Sequence, residues 1–128
     1  MKTGWIKEDK RIYDWMPALI WGMVVLFFTA LPYSGVPQLT VGYFDKIAHF
    51  MEYTLFSVLI LRGAFRSGAN PTPKVLLFAL IFSVSYGIVM ELLQLYIPGR
   101  TASFADGVAN LAGSVFGLLL GKVILWQK

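Results

Sequence analysis

The chain has 128 residues, of which 57% are hydrophobic and only 14% are charged, with no cysteine and a formal net charge of +4. Ordinary soluble domains are about 45–50% apolar and about 25% charged, so the composition excludes a disordered chain and disfavours a soluble domain of this size. The lack of cysteine excludes a disulfide scaffold and thiolate chemistry. We therefore predict a single all-α membrane domain over residues 1–128.

Four hydrophobic segments are long enough to cross a bilayer, which requires about 20 helical residues. The first lies in a stretch without any charged residue, from Trp15 to Phe44. Clusters of Pro and Gly separate the four segments, and such clusters mark helix ends. The predicted transmembrane helices cover about 15–33, 45–62, 75–97 and 104–126.

The basic residues predict how the chain crosses the membrane. The first segment is longer than a typical signal-peptide core and lacks an A-x-A site, so we expect an uncleaved anchor after a cytoplasmic tail, 1–14. An up-and-down bundle then places nine of the eleven Lys and Arg residues on one side, leaving Lys46 and Arg100 on the other. The positive-inside rule assigns both termini to the cytoplasm. Charges used as topology anchors leave no basic element for nucleic acid.

Polar residues concentrate at the helix ends that share the outer side of this topology. Asp45, His49 and Glu52 are spaced i, i+4 and i+7, which places them on one helix face. An ionisable residue inside a span costs roughly 2.5–3.5 kcal/mol on insertion scales, so several together predict an outward-facing polar pocket. The candidate catalytic residues are His49, Glu91, Asp45 and Asp106. The candidate binding residues are Lys46, Gln94, Arg100 and Asn110.

Some of these residues also have structural interpretations. Asp106 follows Ser103 in a capping-box pattern, and Asp45 could equally cap its own helix. Glu91 lies near a helix C-terminus, where negative charge is disfavoured, so we expect it to pair with Arg100. One histidine with scattered carboxylates is a weak metal-site pattern. We therefore predict no metal and no other cofactor.

A stripe of glycines continues the polar face of the last helix. Gly113, Gly117 and Gly121 recur at every fourth position, a spacing that permits close helix approach in membranes. We predict that this stripe packs the last helix against the second or third. That packing would assemble the polar pocket from three helices.

Two motifs in the chain resemble the signatures of the VanZ-like family. They are Asp45-Lys46-x-x-His49-Phe50-x-x-Tyr53 and Glu91-x-x-Gln94-x5-Arg100-x5-Asp106-x-x-x-Asn110-x-x-Gly113. The resemblance covers roughly 15–125 and implies a multi-pass protein of the bacterial cytoplasmic (inner) membrane. The family's namesake is associated with resistance to the glycopeptide teicoplanin. This association supplies a cell-envelope context and no reaction.

Three functions fit the predicted pocket. A binding or accessory protein would recognise a lipid-linked or cell-wall ligand through the polar residues. An intramembrane enzyme on such a substrate would use His49, oriented by Asp45, as general base and Glu91 as the acid. A proton-coupled transporter fits less well, because four helices are few and no inverted repeat is visible. The single histidine excludes two-histidine lipid phosphatases and H-E-x-x-H proteases.

Overall fold

The computed structural model describes residues 10–32 and 38–127. Within these ranges the chain forms four α-helices and no strand, which confirms the all-α fold class. Residues 1–9 of the predicted tail, Tyr33 at the predicted end of the first helix, and Lys128 lie outside the described residues. The helices are α1 (Arg11–Ala30), α2 (Gln38–Arg66), α3 (Pro73–Gln94) and α4 (Phe104–Leu125).

The helix bounds differ from the sequence prediction mainly in α2. This helix begins at Gln38 rather than near Asp45 and extends over 29 residues. The prediction took the first charge after the apolar stretch as the helix start, whereas the apolar residues before that charge are already helical. At the same end of the bundle, α3 stops at Gln94 instead of 97, because the chain leaves the helix in tight turns before Pro98-Gly99. The bounds of α4 agree with the prediction within one residue.

Three helices are long and apolar enough to cross a membrane among the residues that the structure describes, namely α1, α3 and α4. Polar residues such as His49 and Glu52 lower the mean hydropathy of α2, which is not among them. Large apolar side chains cover the outside of the bundle, with Phe27, Ile88 and Leu119 all more than half exposed. Such a surface suits contact with lipid rather than water. The fold is that of a multi-pass membrane protein.

The helix α2 is the centre of the bundle, because it contacts α1, α3 and α4 and its contacts are more extensive than those of any other helix described. Its most extensive contact is with α4, while α1 packs against α2 and α3 only, within the described part of the chain. Tyr53, Phe56, Ile60 and Leu61 on α2 are almost completely buried and form the middle of the core. Three helices therefore pack around α2, while Phe44, Ile47 and Met51 on its remaining face stay exposed.

The glycine stripe of α4 faces α2 directly. A Cβ atom at Gly113 would overlap the backbone carbonyl of Phe50, and one at Gly117 would overlap Ser57 Oγ and the carbonyl of Thr54. Only glycine permits this backbone separation. The two helices therefore meet with little intervening side chain, as small-residue stripes allow in membrane proteins.

Hydrogen bonds reinforce the contacts between helices. In an apolar surrounding such bonds contribute to helix association because the alternative is an unpaired polar group. Backbone carbonyls serve as acceptors in most of them, so they fix helix position without a second polar side chain. They join Thr54 Oγ1 to the carbonyl of Gly113 (3.2 Å), Ser83 Oγ to Ser114 Oγ (2.7 Å), Trp21 Nε1 to the carbonyl of Glu52 (3.0 Å) and Tyr86 Oη to the carbonyl of Gly22 (2.6 Å).

Substitution of Gly117 with Ala should destabilise the bundle. The new methyl group overlaps backbone atoms of α2 that cannot yield, so we expect a loss of about 1–3 kcal/mol, the usual cost of overpacking. Gly107→Ala is the matched control on the same helix, since a Cβ there meets no atom within 4 Å. Thermal unfolding of both variants in detergent measures the difference. Equal stability of the two variants would contradict the packing described for α4.

Candidate functional site

Six polar residues meet where the last turn of α3 and the first turns of α4 lie against α2. Four of them are buried, with exposed fractions of 6% for His49, 9% for Glu91 and 3% each for Asp106 and Asn110. Glu91 lies three residues before the end of α3, so roughly 5 Å from that end and not the 9 Å expected from the sequence. We call this set the polar cluster. Its members are Asp45, Lys46, His49, Glu91, Asp106 and Asn110.

The histidine of the polar cluster lies between two carboxylates. His49 Nε2 is 3.8 Å from Asp45 Oδ2, and His49 Nδ1 is 3.9 Å from Glu91 Oε1. Both separations are longer than a hydrogen bond, yet a small side-chain rotation or one bridging water would close either of them. The imidazole therefore has a carboxylate near each of its two nitrogen atoms. This arrangement links α2 to α3.

Asp45 does not cap α2, and Ser103 and Asp106 form no capping box, although Asp106 does lie in the first turn of α4 as expected. Asp45 lies seven residues inside α2, because that helix begins at Gln38. In the capping box the Ser103 backbone N–H would bond to Asp106, but it donates to Glu91 Oε2 at 3.3 Å, and the Ser103 side chain makes no cap bond. Asp106 instead faces α2, with its Oδ1 3.5 Å from Lys46 Nζ. Both aspartates are therefore available to the site.

The cations expected to hold a ligand are engaged with the protein itself. Arg100 donates from Nε to the carbonyl of Leu31 at 3.0 Å and from Nη2 to the carbonyl of Phe28 at 2.5 Å. Lys46 Nζ contacts Asp106 and donates to the carbonyl of Gly42 at 3.3 Å. The groups that contact Glu91 are Ser103 and His49, in place of the expected Arg100. Arg100 therefore ties the end of α1 to the loop before α4.

Several buried polar atoms of the site have no hydrogen-bond partner within the described structure. Native proteins pair nearly all such atoms, so each one needs an explanation. One of them belongs to Tyr53, which is 1% exposed and which the sequence prediction did not assign a role. Its position four residues after His49 in the first motif was the available signal. The unpartnered atoms are His49 Nδ1, Tyr53 Oη, Glu91 Oε1, Asp106 Oδ1, and both Nδ2 and Oδ1 of Asn110.

A groove of about 440 Å³ runs between α3 and α4 and ends at the polar cluster. Its walls are mostly apolar, with Ile88 and Leu92 on α3 and Val108 on α4. Glu91 and Asn110 contribute the polar part of the lining. Gln94, another candidate binding residue, is buried in the last turn of α3 but does not line this groove. The groove is therefore mostly apolar, and its polar end contains atoms that have no hydrogen-bond partner within the described structure.

Comparison with known protein families identifies the chain. A model of the VanZ/LLP1 family matches residues 5–125, nearly the full length. The chain belongs to the VanZ/LLP1 family. The match confirms the resemblance drawn from the two motifs, and both motifs contribute to the polar cluster of this VanZ-like protein. No curated protein and no solved structure matches the chain significantly.

The VanZ-like fold also brings three potential metal ligands together. Ligand atoms of Asp45, His49 and Asp106 all lie within 4.8 Å of one another. Asp45 and His49 are one turn apart on α2, and Asp106 approaches from α4. The sequence shows that Asp45 and His49 share a helix face. It does not show the approach of Asp106, which depends on how closely α4 packs against α2.

Replacement of Arg100 with Leu should destabilise this VanZ-like protein. The change removes two bonds to carbonyls at the end of α1, and a hydrogen bond contributes about 0.5–1.5 kcal/mol, or more with a charged donor. The control is Asp14→Asn, which weakens a 3.1 Å contact with the exposed Arg66 and should cost below about 1 kcal/mol. Unfolding in a denaturing detergent series measures both. An Arg100→Leu variant as stable as Asp14→Asn would instead favour a purely ligand-binding role for Arg100.

Proposed function

We propose that this VanZ-like protein crosses the bacterial cytoplasmic membrane four times, with α2 as the fourth span and both termini in the cytoplasm. The 29 residues of α2 extend roughly 44 Å, more than enough to cross the hydrocarbon core. On its polar face His49 lies 3.9 Å from Glu91 of α3, and Asp106 of α4 approaches the same region, which makes a polar span tolerable. The asymmetric distribution of Lys and Arg supports the orientation. In this orientation the polar cluster faces the outside.

The function that the geometry supports best is the binding of a membrane amphiphile from the outer leaflet. The single observation behind this proposal is the groove between α3 and α4, whose apolar walls end at Glu91 and Asn110. Ligand sites commonly combine an apolar cavity with a few polar groups that fix orientation. An acyl or polyprenyl chain would fill the groove. The polar end of the same molecule would reach the polar cluster.

The unpartnered atoms define the chemistry of the head group. Glu91 Oε1 and Asn110 Oδ1 are acceptors, so the ligand has to supply hydrogen-bond donors such as hydroxyl, amine or amide groups. Asn110 Nδ2 adds one donor for an acceptor on the ligand. Sugars, amino acids and peptides attached to lipids carry such groups. The association of the family's namesake with teicoplanin directs attention to lipid-linked cell-wall precursors, and a role in glycopeptide resistance would follow from binding one of them.

A second candidate function is catalysis on the same ligand. The position of His49 between Asp45 and Glu91 favours it, because one carboxylate can orient the imidazole while the other accepts or donates a proton. His49 would then act as general base and Glu91 as acid. The two functions share the site and differ only in whether the bound molecule changes.

The proposed topology predicts the sidedness of two engineered cysteines. The native chain has none, so labelling reports only the introduced residue. Thr101→Cys lies in the exposed segment before α4, and Asn70→Cys lies in the exposed segment between α2 and α3. In intact bacterial cells an impermeant maleimide should label the Thr101→Cys variant only, and both variants after lysis. Labelling of Asn70→Cys in intact cells would reject the orientation.

Blocking the groove should remove the co-purifying lipid. Val108→Trp would fill the groove, whereas Val123→Trp places the same side chain elsewhere on α4 at an exposed position. Lipid extracted from protein purified in mild detergent is identified by mass spectrometry. We expect Val108→Trp to lose the lipid that the wild type and Val123→Trp retain. Loss of the charged acceptor in Glu91→Gln should weaken retention about tenfold.

Identical lipid profiles in the two tryptophan variants would contradict binding in the groove. To separate binding from catalysis, the retained lipid is incubated with the wild type and with His49→Gln. A product formed by the wild type alone supports the enzyme. Binding without any product in either protein supports a recognition role.

A further inference from the structure

We propose that Asp45, His49 and Asp106 form a binding site for one divalent transition-metal ion, Mn²⁺ or Zn²⁺. Their ligand atoms all lie within 4.8 Å of one another. Bonds to Zn²⁺ are about 2.0–2.2 Å long, so ligand atoms around such an ion are spaced by roughly 3–4 Å. A difference of this size is within the reach of side-chain rotation. One imidazole nitrogen with two carboxylates is a donor set that suits both ions.

A buried carboxylate oxygen supplies independent support for a ligand at this point. Asp106 is 3% exposed, and its Oδ1 has no hydrogen-bond partner within the described structure. The Lys46 ammonium group lies 3.5 Å from this oxygen, but its side chain is 44% exposed. A buried carboxylate oxygen without a hydrogen bond is costly unless a further group binds it.

The balance of charge around the site favours a divalent cation. We use the name outer layer for the end of the bundle where α2 begins and α3 ends. Four carboxylates belong to it, those of Asp45, Glu52, Glu91 and Asp106. Lys46 and Arg100 are the permanently charged cations of the same layer, and Arg100 donates to backbone carbonyls of α1. With all six of these groups ionised, the layer carries an excess of two negative charges, which is expensive where it is partly buried. One divalent ion would neutralise it.

The surrounding residues match the outer shell that metal-bound histidines usually have. A histidine that binds a metal through one nitrogen commonly donates the other N–H to a carboxylate. Nε2 of His49 faces Asp45, a proposed ligand, while Nδ1 faces Glu91 at 3.9 Å. Glu91 therefore lies where the outer carboxylate belongs. Lys46 is the competing cation, and its side chain is 44% exposed, so its ammonium group can move into water when a metal binds.

The proposed metal site differs from the lipid groove in its residues. Glu91 and Asn110 line the groove, whereas none of the three metal ligands does. The metal proposal therefore stands even if the groove holds no lipid. When bound, the ion would supply positive charge at the outer end of the bundle. That charge would allow an anionic group to approach a cluster that is otherwise acidic.

The test is metal binding by the full-length protein in detergent after treatment with a chelator. Titration with Mn²⁺ is followed by the loss of the free-ion signal in electron paramagnetic resonance, and Zn²⁺ should compete. We expect one Mn²⁺ per chain. Asp45→Asn, His49→Gln and Asp106→Asn should each weaken binding by at least about 10–100-fold, the loss seen even for outer-shell changes, and Glu91→Gln by about tenfold. In pulsed electron paramagnetic resonance, the spin echo of bound Mn²⁺ should show modulation from a coordinating imidazole nitrogen in the wild type. The His49→Gln variant should lack this modulation.

Two controls keep the test decisive. Asp14→Asn removes a carboxylate near the start of α1, away from the outer layer, and should leave binding unchanged. Lys46→Met removes the competing ammonium group and should strengthen binding, a result that a purely internal Lys–Asp ion pair does not predict. Circular dichroism confirms that each variant is folded. Absence of bound Mn²⁺ and Zn²⁺ in the wild type, or equal binding by wild type and Asp106→Asn, would overturn the proposal.

Discussion

The close approach of α4 to α2 is the constraint on which the site depends. Gly113 and Gly117 bring the α4 backbone so near α2 that a single methyl group would collide with the carbonyls of Phe50 and Thr54. The same contact places Asp106 opposite Lys46 and Asp45. Without it the polar residues of α2 and α4 would face lipid, where each ionisable group is costly. The contact between α2 and α4 therefore both stabilises the bundle and positions the polar cluster.

The buried polar residues explain why α2 is both the least apolar helix and the most enclosed. A helix that carries Asp45 and His49 is unfavourable in lipid, but side chains of α3 and α4 approach both residues. Not all of these polar groups are satisfied within the described part of the chain, since Glu91, Asp106 and Asn110 keep atoms without a hydrogen-bond partner there. A metal ion and the head group of a bound amphiphile would each satisfy some of them. The stability of the cluster and its capacity to bind ligands are thus connected.

The sequence predicts the four helices well, because long apolar stretches separated by Pro and Gly clusters leave few alternatives. The spacing of polar residues on helix faces also predicts that those of α2, α3 and α4 lie close together, as Asp45, His49, Glu91 and Asp106 do. The sequence fails to predict features that depend on contacts between helices, such as which side chains pair with each other. The pairing of Glu91 with Arg100 was expected from charge alone, yet Ser103 and His49 are the contacts of Glu91 while Arg100 reaches α1. Neither the seven additional residues at the start of α2 nor the groove between α3 and α4 has a local sequence signal.

The most direct test of this account is Mn²⁺ binding by Gly113→Ala, a variant in which every polar residue of the site is still present. The new methyl group collides with the Phe50 carbonyl, next to His49, and should separate α2 from α4 at the polar cluster. The matched control is Gly121→Ala, at the other end of the stripe, where the nearest atom is the flexible side-chain end of Leu61 at 3.2 Å. The account predicts that Gly113→Ala remains helical and loses Mn²⁺ binding, while Gly121→Ala retains it. Wild-type affinity in a folded Gly113→Ala variant would contradict the account.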